Sequence, residues 1–147
     1  MAGRLHVEHG AAASGPAGHW SVEARAEGDL PLGPPGGDAA ALDQARDCDL
    51  GLSPLTNTMP VLRSGLLDDR PAAELAVAWV SVPDLGVRLA RQQYAFVRAL
   101  PGGLALVRFE TADGSFSADL TFDRDGLVVD YPGLARRLGR SHRVLER

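Results

Sequence analysis

Along the second half of the chain, apolar and polar positions alternate with a period of two, the period of strands with one buried face. Leu104, Leu106 and Arg108 stand opposite Ala105, Val107 and Phe109, and Phe116, Ala118, Leu120 and Phe122 share one side of the run Ser115 to Asp123. Tyr94, Phe96 and Arg98 fall on one face of Gln92 to Leu100. Three glycine-bearing turn signals punctuate these runs: Pro101-Gly102-Gly103, Asp113-Gly114 and Asp125-Gly126. Tight turns of this kind join antiparallel neighbours, so the segment that closes with Leu127 to Tyr131 reads as a meander. Ahead of it, Leu75 to Val82 is apolar on both sides, which predicts a strand covered on both faces or facing a cavity. Val87 to Leu89 reads as a separate short strand after the turn Pro83 to Gly86.

The first half carries weaker patterns. Residues 1–19 are rich in Ala and Gly without sustained periodicity and read as a poorly ordered arm. His6 and His9 stand three apart in it, but Gly10 follows at once and no third ligand is within reach along the sequence, so no metal site is assigned. Trp20 to Ala26 alternates and predicts a half-buried strand, opening a single β domain over residues 20–147. Gly28 to Ala41 is a Pro/Gly loop that lacks the lysine and Ser/Thr of a phosphate-cradling loop. Ala39 to Arg46 has the pattern of a short helical turn. At the other end, Gly133 to Arg147 is expected to form a short C-terminal helix with Leu134, Leu138 and Leu145 on one face and Arg136, Arg140, Arg143 and Arg147 on another.

Asp47 to Arg63 is the least generic stretch. Pro54 and Pro60 each remove a backbone donor and bias Ser53 and Met59 toward extended geometry, so the expectation is a stiff extended edge or loop, not a helix interior. In an extended chain Leu55, Asn57 and Met59 face one way and Thr56 and Thr58 the other. That places the chain's single asparagine between apolar neighbours, where its amide finds partners or costs about 1 to 3 kcal/mol.

The run Leu52 to Val61, Leu-Ser-Pro-Leu-Thr-Asn-Thr-Met-Pro-Val, resembles the signature of the bacterial glycolipid-binding family. Asp47 and Asp49 match its acidic pair and Arg63 its second arginine, while Leu62 departs where the first arginine stands. The likeness continues through Ala76 to Trp79, Pro83 to Leu85, Gln93-Tyr94, Phe116 to Ala118 and Asp123 to Leu134, covering about residues 47 to 138. Upstream it fails, as in a shortened member lacking several strands. The resemblance implies a mainly β fold, an open, curved antiparallel sheet (an incomplete barrel) whose apolar concave face holds a lipid.

Composition narrows the rest. The chain carries 15 basic and 19 acidic residues, a net charge of −4, which argues against general nucleic-acid binding. All the basic residues are arginine and no isoleucine is present, a mark of GC-rich coding more than of function. Charge is uneven: Gly133 to Arg147 is +4 and the remainder −8. A basic amphipathic helix of this kind suits an acidic membrane surface or the protein's own acidic sheet. The single Cys48 forms no internal disulfide. The first residues hold charges where a signal peptide needs an apolar run, so the expected location is the cytoplasm.

No serine sits in a nucleophile elbow, and Asp123-x-Asp125-Gly126 has its glycine in the wrong place for a calcium loop. Asp47 and Asp49 share a face if extended, as a catalytic carboxylate pair does, but arginines such as Arg63 are the natural partners. The reading is non-enzymatic, with no cofactor. A lipid site asks for little signature, since burying about ten methylenes supplies on the order of 8 kcal/mol before ordering costs. Val77, Trp79, Phe96, Phe116, Leu120 and Phe122 are the candidate apolar lining; Thr56, Asn57, Thr58, Arg63, Tyr94 and Tyr131 are the candidate polar mouth. The same apolar side chains equally make an ordinary core. The alternative is an interaction module, or a homo-oligomer, that pairs through an exposed sheet edge.

Overall fold

The computed structural model describes residues 2–11, 18–27, 42–68, 70–83 and 85–138. Ala2–Ala11, assigned to an arm in the sequence reading, runs as strand β1 antiparallel to β2, Gly18–Glu27, which contains the predicted Trp20 to Ala26 strand. The Gly28 to Ala41 loop lies outside the described residues.

The main body is a seven-stranded sheet in sequence order: β3 (Asp47–Leu50), β4 (Ala73–Val80), β5 (Val87–Leu100), β6 (Leu104–Thr111), β7 (Ser117–Phe122), β8 (Val128–Tyr131) and β9 (Ala135–Arg136). It curls into a half-barrel. From β4 to β9 every neighbour is antiparallel, and the turns fall at the three glycine signals, where Gly102, Gly103, Gly114 and Gly126 all take positive φ. Two strands differ from expectation. β3 pairs with β4 in parallel, because the chain crosses the inner face before returning. The two strands expected over Val87 to Leu100 are one continuous β5, which absorbs its length through a bulge between Phe96 and Arg98. Both edges of this sheet are short, four residues in β3 and two in β9, and short edges discourage pairing with another chain.

The expected extended segment between the prolines is helical. Pro54–Asn57 forms a 3-10 turn and Thr58–Arg63 helix α1, with Asn57 as its N-cap. Pro60 occupies the third helical position, where a backbone N–H has no intrahelical acceptor, so proline removes nothing the helix uses. Coiling also separates the side chains that an extended chain would align: Asn57 is buried while Leu55 and Met59 face solvent. The C-terminal helix is corrected as well. Among the described residues the one α-helix is mid-chain, and Leu134 to Arg136 forms a turn and β9, held by pairing with β8. Arg140, Arg143 and Arg147 lie outside the described residues.

Each face of β4 is buried, as its two-sided apolar pattern predicts. On the outer face Ala78 and Val80 pack with Val87 under Leu42 and Ala45, the ends of a tight turn closed by the Ala45 N–H on the Leu42 carbonyl at 2.8 Å. On the inner face Val77 joins Tyr94, Val107, Phe109, Leu120 and Phe122 beneath Val61 of α1 and Leu66 of the following 3-10 turn. The β7–β8 turn closes onto this plug: a Cβ built on Gly126 would sit 2.5 Å from Leu62 Cδ2. The Asp47–Arg63 stretch thus supplies an edge strand, a crossing and a stopper for part of the inner face.

Candidate functional site

Among the described residues, the other part of the inner face is open. Beside the plug lies a cavity of about 750 Å³. Its walls come from the end of β3 and the bend after it (Asp49 to Ser53), from β4 and β5 (Trp79, Arg88 to Gln92), from β6 and its turn (Phe109, Thr111 to Asp113, Phe116) and from the β8–β9 turn (Tyr131 to Leu134). Gly51 makes the close approach on the β3 side. A Cβ there would lie 2.9 Å from the Val80 carbonyl oxygen and 3.7 Å from the Trp79 ring, so a larger residue would push the bend away from β4.

The buried wall is polar. Asn57 and Gln92 are each 4% exposed. Asp49 accepts hydrogen bonds from the Gln92 amide and from the Thr56 hydroxyl (3.0 Å). The Tyr94 hydroxyl accepts from Asn57 Nδ2 at 3.0 Å and donates to Gln92 Oε1 at 3.4 Å. Asp49, Gln92, Tyr94 and Asn57 therefore form one connected chain, and Asn57 Oδ1 at its end is buried without a partner among the described residues. Exchanging the amide's O and N would orphan the nitrogen instead. Such an atom costs about 1 to 3 kcal/mol while unpaired, so a ligand donor reaching it would recover that energy.

Electrostatics follow from the same burial. Desolvation raises the Asp49 carboxyl above its ordinary range, against the lowering effect of the Gln92 and Thr56 hydrogen bonds. Burial, and then the Asp49 charge, pushes Tyr131 up to about 12 and raises Tyr94 well above the usual phenol range, so both phenols stay protonated donors at neutral pH. Cys48 is shifted up for the same two reasons, which removes any thiolate character at neutral pH. Asp47 forms an ion pair with Arg63 and is 6% exposed. The two aspartates are thus committed to different partners, and neither is arranged as an acid–base dyad.

Near the mouth the guanidinium of Arg88 lies over Trp79, 4.6 Å from the ring centroid. Phe109 is buried, tilted against Tyr94 at 5.1 Å on one side and Phe116 at 5.9 Å on the other. Leu52, Val82, Phe116 and Leu134 line the cavity and remain exposed, Leu52 at 70%. Leu52 also holds φ at +65°, a left-handed conformation that disfavours a side chain with a Cβ.

Of the residues expected at a site, Asn57, Trp79, Phe116 and Tyr131 line the cavity. Tyr94 sits behind the wall and reaches the site through its hydroxyl, and Thr56 through Asp49. The rest are elsewhere. Val77, Leu120 and Phe122 are fully buried in the packed core under α1, and Phe96 is opposite Val107 beyond the cavity. Thr58 Oγ1 is buried without a partner outside the lining, and Arg63 is occupied by Asp47. Sequence reasoning missed Gln92, although its spacing of two from Tyr94 puts a polar residue on an inward face, and it missed Arg88 and Leu52. Among the basic tail residues, Arg136 bonds Asp130 and Arg137 bonds Asp123 within the sheet.

No curated protein matches the chain. A solved DUF1089 family protein from Pseudomonas aeruginosa superposes with a TM-score of 0.58 at 36% identity, over 82% of this chain. The chain spans 56% of that protein's length. The model of the family described as "Putative glycolipid-binding" matches residues 9–137, including the upstream region where the signature residues gave no likeness. With that match spanning most of its length, the chain belongs to this family.

Proposed function

We propose that the protein is a non-enzymatic binder of an amphiphilic lipid or glycolipid, held in the cavity beside the α1 plug. The observation that carries the reading is the cavity itself: about 750 Å³ that the side chains of the described residues leave unfilled, joining a buried polar wall to an exposed apolar rim. A purely structural interior would fill such a space, because unfilled volume forfeits packing energy. The family description supports the same class of ligand. Nothing in the site assembles a nucleophile with a base, and the short edges of the main sheet give no support to strand pairing as the main role.

Organic extraction of protein purified from its own host, followed by mass spectrometry, tests the reading. A stoichiometric amphiphile is expected, and the stripped protein should bind alkyl glycosides or lipids in solution. If the extract is empty and the stripped protein binds neither, the proposal fails.

A further inference from the structure

Polar and apolar groups in the cavity are placed the wrong way round for a hydrocarbon chain inserted tail first. The groups that are shielded from solvent are the amides of Asn57 and Gln92, linked to Asp49 and the Tyr94 hydroxyl. The groups left in solvent at the mouth are Leu52 and Val82 on the β3–β4 side and Phe116 and Leu134 on the β6–β7 and β8–β9 side. An alkyl chain driven inward would lie against this polar wall and leave the Asn57 Oδ1 without a partner, at a cost of about 1 to 3 kcal/mol. Left at the mouth, it would cover apolar surface that is now wet, a gain of about 0.8 kcal/mol per methylene.

Resting on the binding role proposed above, we infer that the amphiphile is bound head group first, a neutral hydroxyl-bearing head group meeting Asp49, Asn57 and Gln92 while its apolar chain leaves past Leu52, Val82, Phe116 and Leu134. The unpartnered Oδ1 of Asn57 accepts a ligand hydroxyl, and Asp49 has acceptor capacity beyond its bonds to Gln92 and Thr56. Trp79 lines the same space with the Arg88 guanidinium over its ring. Charge selects against an anionic head group. The carboxylate within the buried wall repels a phosphate or sulfate where the dielectric is low, and the nearby cations, Arg88 and Arg91, are on the exposed lip. Leu52 agrees with this assignment, since a leucine kept in a left-handed backbone conformation and in solvent is explained by an apolar chain lying against it.

The test uses dodecyl maltoside carrying a nitroxide on the last carbon of its chain, added below its critical micelle concentration to isotopically labelled protein. Head-first binding broadens the backbone amide signals of Leu52, Val82, Phe116 and Leu134. It moves the side-chain NH2 signals of Asn57 and Gln92 without broadening them. Broadening of those NH2 signals, with the rim sharp, would overturn the orientation and leave lipid binding standing. Loss of both effects, with no binding of any amphiphile, would overturn the orientation and the binding role together. A second arm compares octyl glucoside with octyl sulfate: the glucoside is expected to bind about tenfold tighter or more. Equal or tighter binding of the sulfate would sink the neutral head group.

Discussion

Removing a single oxygen from the middle of the buried wall measures how much that wall depends on its connections. In Tyr94→Phe the ring stays in its place against Phe109, and only the hydroxyl between Asn57 and Gln92 is lost. Gln92 keeps its bond to Asp49 and forfeits only a long contact of 3.4 Å. Asn57 forfeits the bond at 3.0 Å, and because its Oδ1 already has no partner, the whole amide becomes a buried group with its side-chain atoms unpaired. One such amide costs about 2 kcal/mol. In a domain of this length that lowers Tm by on the order of 4 to 8 °C. Urea denaturation of wild type, Tyr94→Phe, Asn57→Leu and the double variant supplies the measurement. The double variant is expected to be less destabilised than the sum of the two by about 1 kcal/mol, because the second substitution removes a group the first had already orphaned. A loss below about 0.5 kcal/mol for Tyr94→Phe, or strict additivity, would refute the connected wall.

Gly51→Ala is expected to destabilise by on the order of 1 to 3 kcal/mol, because its Cβ meets backbone at 2.9 Å; a thermal melt equal to wild type would show that the bend moves freely. Asp49→Asn is expected to be more stable than wild type at pH 7, provided the introduced amide donates to Thr56 and Thr56 turns its proton to the Ser53 carbonyl, 3.0 Å away. Burial raises the Asp49 pKa, so the wild-type penalty is present above the folded pKa and fades as pH falls toward 3.8. The advantage of the variant should shrink in step over that window, and an advantage independent of pH would contradict the cause assigned to the shift. Leu52→Gly should relieve about 1 kcal/mol of left-handed strain, offset in part by glycine's greater freedom when unfolded, while weakening amphiphile binding. Paired melting and titration check it, and unchanged binding would remove Leu52 from the ligand's path.

The meander was legible because each tight turn carries its own glycine and each strand its own alternation; both are local properties. The two-sided burial of β4 was legible for the same reason. The Pro54 to Arg63 segment was misjudged because proline is harmless in a first turn and disruptive one turn later, and sequence alone does not say where that turn begins. The tail over Gly133 to Leu138 has a helical spacing of leucines, but β8 offers a free edge, and strand pairing prevailed over periodicity. For the site, alternation identified which side chains face inward but not which stretch of the inner face α1 would cover. Trp79 borders the cavity and Val77 is sealed beneath the plug although the two are neighbours on one face of one strand. For Gln92 the informative signal is a polar residue two positions from Tyr94, in register with the inward aromatic residues of its strand.

Strand β4 is the common wall of two separate oily layers, Val77 contributing to one and Ala78 and Val80 to the other. Neither layer can come apart without stripping one side of that shared partition, so melting of the half-barrel should proceed as a single event, with the deepest protection from solvent exchange at its backbone amides.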